Sequence, residues 1–118
     1  MIAAKYMDVP QTLPMGPDNK HVRMRVLIGE EQRAPNFVMR HFEVLPGGST
    51  PYHDHPWEHE VFVLSGRGRV NTEEGETPLE TGSFVFVPAG EKHNFETLGN
   101  EPLEFLCIIP KEEKCDLS

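Results

Sequence analysis

The chain has 118 residues, of which 37% are hydrophobic and 8% aromatic, and a formal net charge of −8. That length suits one domain with one core, and an acidic chain with no basic stripe excludes nucleic acid and anionic lipid as partners. No apolar run approaches the roughly 18 residues that a membrane helix needs.

Met1 to Val9 carries one lysine and one aspartate and no long apolar stretch, so it is not expected to be a secretory leader, and a cytoplasmic location is expected. Residues 1–18, with Pro10, Pro14 and Pro17, read as an extended arm ahead of a single domain covering 1–118. Beyond the arm, prolines and glycines punctuate the chain at short intervals, as strands joined by tight turns require. The apolar and β-branched segments between them predict strands over Val22–Ile28, Asn36–Leu45, Val61–Leu64, Gly68–Asn71, Ser83–Pro88 and Leu103–Pro110. No long segment has helical periodicity, so the fold class is all-β, a sandwich or a barrel. Val61 to Leu64, Phe84 to Val87 and Phe105 to Ile109 are apolar at consecutive positions, and such runs want both faces covered. A barrel interior covers one face. The other then needs a second sheet, the N-terminal arm or a partner subunit, which motivates a homodimer. Residues 111–118 form a charged tail that includes an exposed Cys115. Two cysteines eight residues apart make neither a disulfide framework nor a zinc ribbon.

The chemistry lies in the histidines. His53, His55 and His59 fall within seven residues, after what reads as a turn at Pro46-Gly47-Gly48. On a strand, His53 and His55 would share one face, and Pro56-Trp57-Glu58 can turn the chain back so that His59 joins them. His93 follows a buried strand and a Pro88-Ala89-Gly90 turn, which can aim a fourth imidazole at the same place. Neutral imidazoles suit zinc, copper, iron and nickel. His21, beside Lys20 and Arg23, reads as a surface residue, and His41, between Arg40 and Phe42, as a structural or rim residue.

Gly47, five residues, His53, one residue, His55, three residues, His59, six residues and Gly66 resemble the first cupin motif. Gly82, five residues, Pro88, one residue, Gly90, two residues and His93 resemble the second, with Thr97 where asparagine is usual. The first motif normally carries glutamate where His59 stands. Glu60 is adjacent, but the spacing from His55 and from Gly66 lands on His59 both times, and strand parity sends Glu60 to the opposite face. Taken with Arg25 to Gly29, Ala34 to Arg40, His55 to Glu60 and Glu104 to Cys107, the chain resembles small single-domain cupins with an all-histidine manganese site.

That resemblance implies an antiparallel double-stranded β-helix of the cupin (jelly-roll) type and a homodimer. It also implies one divalent metal, manganese first and iron, zinc, nickel or copper as alternatives, held by His53, His55, His59 and His93 and open to solvent on one side. The expected function is an oxidoreductase of dioxygenase or peroxide-using type acting on a small organic molecule. A non-redox isomerase or lyase and a small-molecule-binding module without turnover are the alternatives. With Glu104 outward, Phe105, Cys107 and Ile109 point inward, so Cys107 and Phe105 join Trp57, Phe95 and Met39 as pocket candidates. Trp57 either caps the pocket mouth or anchors a subunit interface. Phe37, Phe84 and Phe86 are further wall candidates whose simpler reading is ordinary core.

Overall fold

The computed structural model describes residues 1–12 and 20–111. The strands are β1 (Lys20–Ile28), β2 (Phe37–Ser49), β3 (His59–Ser65), β4 (Gly68–Thr72), β5 (Gly75–Leu79), β6 (Phe84–Val87), β7 (His93–Thr97) and β8 (Leu103–Pro110). They form one antiparallel sheet in the order β5-β4-β7-β2-β8-β3-β6, with β1 paired to β2, and the sheet curls into a half-barrel. The all-β cupin architecture expected from the sequence is the one observed.

The inside is set by period-two alternation. Along β8, Leu103, Phe105, Cys107 and Ile109 are buried, while Glu104, Leu106 and Ile108 between them are half-buried. Phe105 packs between Phe42, at 5.1 Å between ring centroids, and Phe95, at 4.9 Å, and these three rings form the floor of the interior. At the turn from β3 to β4, Gly66 has φ +86°, and a Cβ there would lie 2.1 Å from the Pro102 carbonyl oxygen. Only glycine meets both conditions.

Four features differ from the sequence reading. Pro46-Gly47-Gly48 is not a turn. β2 runs through it to Ser49, with Gly47 at φ +81° and a shift in the β1–β2 register. β5 and β7 were not expected, because Gly75–Leu79 and His93–Thr97 are short and polar and are held by pairing with β4 rather than by an apolar pattern. Within the described part of the arm, Tyr6–Asp8 form a 3-10 turn, and Tyr6 stacks on His41 at 4.2 Å. The rest of the predicted arm, and the tail with Cys115, lie outside the described residues. Among the described residues no helix is long and apolar enough to cross a membrane.

Candidate functional site

Strand parity decides which side chain of the His59–Glu60 pair faces inward. In β3, His59, Val61 and Val63 are buried, whereas Glu60, Phe62 and Leu64 are exposed. His53 and His55 reach the interior by a different route from the one expected. Residues 50–58 make no ladder strand. Instead His53 forms an isolated bridge with His93, each backbone N–H donating to the other's carbonyl at 3.1 and 3.0 Å. The chain bends at Pro56 and Trp57, and the Gly90 N–H of the Pro88-Ala89-Gly90 turn donates to the His55 carbonyl at 2.7 Å. One hairpin end is thereby tied to the other at two points.

The four imidazoles come together. Ring centroids are 4.2 Å apart for His53–His55, 4.9 Å for His55–His59, 5.1 Å for His59–His93, 5.5 Å for His53–His93 and 6.1 Å for His55–His93. An ion bound through a ring nitrogen lies about 3.2 Å from the centroid, so rings sharing an ion stand about 4.5 Å apart at right angles and about 6.4 Å apart across it. Four of these five separations fall inside that window, and His53–His55 at 4.2 Å falls below it. Among the described residues, however, no group of three or more His, Cys, Asp or Glu is placed so that it could hold a metal ion as it stands. The Nε2 atoms of His53 and His55 are 2.5 Å apart, closer than the about 3 Å of neighbouring ligand nitrogens, so these rings must turn apart to share an ion.

The far side of the rings is organised. His53 Nδ1 donates to the Pro51 carbonyl at 2.6 Å and His93 Nδ1 to the Glu91 carbonyl at 2.9 Å, which leaves each Nε2 as a lone-pair donor. His59 Nδ1 lies 3.2 Å from Cys107 Sγ, and His59 Nε2 is buried with no hydrogen-bond partner among the described residues. Burial, and then the charge of Arg40, push the His59 pKa down to about 2, and burial lowers that of His93. Both rings are therefore neutral near pH 7. Burial raises the Cys107 thiol, with Arg40 opposing, so it is protonated.

His53, His59 and His93 line an interior cavity over the floor of Phe42, Phe95 and Phe105, with Arg40 and Cys107 on its wall. It admits little more than water-sized groups, and no Asp or Glu is among its described lining residues. Arg40, 1% exposed, donates to Cys107 Sγ at 3.1 Å and lies 4.9 Å over the Phe42 ring. Sequence reasoning missed Arg40 as a site residue. Its parity with Val38 and Phe42 was the only signal that could have found it. Thr97, at the usual asparagine position, donates through Oγ1 to the Val44 carbonyl and closes that corner.

Of the residues expected at a pocket, Cys107, Phe105 and Phe95 line this cavity, and Met39 and Trp57 do not. Met39 alternates with Val38 and Arg40 and faces the opposite side of β2. Trp57 stands behind the site, its indole stacked on His55 at 4.7 Å and 8°. Phe37, Phe84 and Phe86 are neither wall nor core. They are 66%, 81% and 57% exposed, because their strands bury the neighbouring positions. His41 is structural, 1% exposed and 3.1 Å from Glu104 through Nε2, and His21 is exposed.

The cupin domain model matches residues 40–109, which contain all four histidines, so the chain belongs to the cupin family. Across 98% of its length it is similar to the polyketide cyclase RemF from Streptomyces resistomycificus, with 34% identity, a TM-score of 0.90 and 82% of that chain covered. It is 37% identical over 65 residues to an oxalate-binding protein of Thermotoga maritima, covering 54% of each. It is 32% identical over 74 residues to the 1-methylthio-D-xylulose 5-phosphate methylsulfurylase of Rhodospirillum rubrum, covering 63% of this chain and 47% of that protein. The chain spans about half the length of these two curated relatives.

Proposed function

We propose that this cupin is a metal-dependent enzyme in which His53, His55, His59 and His93 hold one divalent transition metal and present it to a small, oxygen-bearing, enolisable organic molecule. The observation that carries the reading is the buried His59 Nε2, without a partner, facing rings whose own Nδ1–H groups are committed to backbone carbonyls. Manganese is the ion the resemblance favours, and imidazole donors accept iron, zinc, nickel or copper as well. When bound, the ion supplies Lewis-acid polarisation of a substrate oxygen, at full charge because all four donors are neutral. The chain's own residues shape the remainder. Phe42, Phe95 and Phe105 exclude water from the floor, and Arg40 adds positive charge to the wall, which favours an anionic or enolate oxygen.

Two observations favour non-redox chemistry. The buried thiol of Cys107 sits against His59, where an oxidant handled at the site would attack it. The likeness to a polyketide cyclase also points to carbonyl chemistry. A dioxygenase-type or peroxide-using oxidoreductase is the second reading, favoured because among the described residues no carboxylate lines the cavity to serve as a general base. Metal analysis of the purified protein, followed by turnover of a 1,3-dicarbonyl compound with and without O₂, tests both. Equal anaerobic turnover with Zn²⁺ and Mn²⁺ is expected. Turnover that needs O₂ and a redox-active ion selects the oxidoreductase. Failure of the wild-type protein to bind any of these ions removes the metal centre itself. The binding measurement is sharpened by His59→Ala, expected to weaken binding at least 100-fold, against Glu60→Ala, expected to leave it unchanged.

A second copy of the chain is proposed to cover the outer face formed by Phe62, Phe84 and Phe86, which is exposed among the described residues. Such a contact is what the consecutive apolar runs call for.

A further inference from the structure

His53, His59 and His93 are not held alike at Nδ1. His53 and His93 each use a backbone carbonyl two residues upstream, an acceptor that cannot donate and so fixes the Nδ1–H tautomer. His59 has a sulfur instead, which can accept a hydrogen bond or donate one. If the thiol donated to Nδ1, Nε2 would carry the proton, and a buried N–H without a partner would point into the cavity. If Nδ1–H donates to the sulfur, Nε2 becomes a lone pair aimed where the other rings converge. The second arrangement strands only the thiol proton, a much weaker donor than an imidazole N–H.

We propose that Cys107 is the positioning residue for His59, accepting its Nδ1–H and so presenting Nε2 as a ligand, and that Arg40 fixes the sulfur in that role. The sheet register builds this line. Arg40 and Cys107 are direct partners across β2 and β8, Val61 and Cys107 are direct partners across β8 and β3, and His59 lies two residues along β3 on the same face. That spacing is a diagonal cross-strand contact, within reach of an imidazole and a thiol. The guanidinium can only donate, so its bond at 3.1 Å engages a sulfur lone pair and holds Sγ between the two partners. Of these three rings two are thus oriented by the backbone and one by a side-chain pair, so that among the three His59 is the ring a single substitution can retune. The inference rests on the metal reading only for its consequence. The tautomer itself is a property of the metal-free chain.

The test therefore has two arms. Long-range ¹H–¹⁵N correlation spectra of the metal-free protein report the His59 tautomer directly. Nδ1–H is expected in the wild type and in Cys107→Ser, which keeps an acceptor, with loss of that preference in Cys107→Ala and Cys107→Val. In the second arm, Co²⁺ affinity is measured by chelator competition together with the Co²⁺ absorption spectrum. Cys107→Ala is expected to weaken binding about 10- to 100-fold, as loss of an outer partner does, with Cys107→Ser recovering most of it at unchanged fold. An Nε2–H signal in the wild type, or an Nδ1–H preference that survives in both Cys107→Ala and Cys107→Val, overturns the inference. Unchanged Co²⁺ affinity in those variants overturns its consequence while leaving the metal centre standing. A wild type that binds no Co²⁺ condemns the metal reading, and the spectra still decide the role of Cys107.

Discussion

The two faces of β3 carry similar side chains to opposite fates. Val61 and Val63 are 3% and 0% exposed, while Phe62 and Leu64 beside them are 47% and 40% exposed. β6 repeats the contrast, with Val87 at 3% and Phe84 at 81%. Apolar character alone therefore does not say which residues form the core. Parity and curvature do, because the sheet closes over one face and leaves the other turned outward. The inner face is completed by the chain itself and ends in the histidine cluster, whereas the phenyl rings of the outer face are exposed among the described residues.

Truncation should expose this difference most strongly. Phe105→Ala removes a ring packed between Phe42 and Phe95 and is expected to cost about 3–5 kcal/mol in urea unfolding, as loss of a buried phenylalanine does. An effect as small as that of a surface change would mean that the inner face is not the core.

Acid should act on the inner face next. The folded-state pKa values of His59 and His93 lie below the ordinary histidine value, so the unfolded chain binds more protons as pH falls below 6.5. Stability is then complete above that pH and declines below it, by at most about 1.4 kcal/mol per pH unit for each ring. Thermal unfolding of the metal-free protein between pH 7.5 and 5 measures the slope, and His59→Phe should flatten it. A stability independent of pH over that range contradicts the burial of these rings.

The smallest effect on folding belongs to the outer face. Phe84→Glu is expected to change the unfolding free energy of the monomer by less than about 0.5 kcal/mol, as exposed substitutions do. In sedimentation the same change should convert a dimer to a monomer. A dimer that persists unchanged places the subunit contact elsewhere.

The readable part of the site was its spacing. His53, His55, His59 and His93 stand at intervals that survive whatever the loops do, and period-two alternation separated His59 from Glu60 before any coordinates. The expected route was wrong in one respect: His53 and His55 meet off a bridged loop rather than on a strand. The Pro46-Gly47-Gly48 run misled because the same residues that build turns also build a kinked strand when a neighbour supplies its hydrogen bonds. β5 and β7 were illegible because polar pentapeptides become strands only when a partner takes their backbone groups.

The sequence by itself determined the all-β class, the inward and outward sets along β3 and β8, and the identity of the clustered histidines, since these follow from local periodicity and spacing. Tertiary structure alone decided that Arg40 and Cys107 stand behind His59 and that the phenyl rings of β6 face outward. Both depend on which strands lie side by side in the sheet, and pairing between segments as distant as β2 and β8 is set by the closing of the whole sheet.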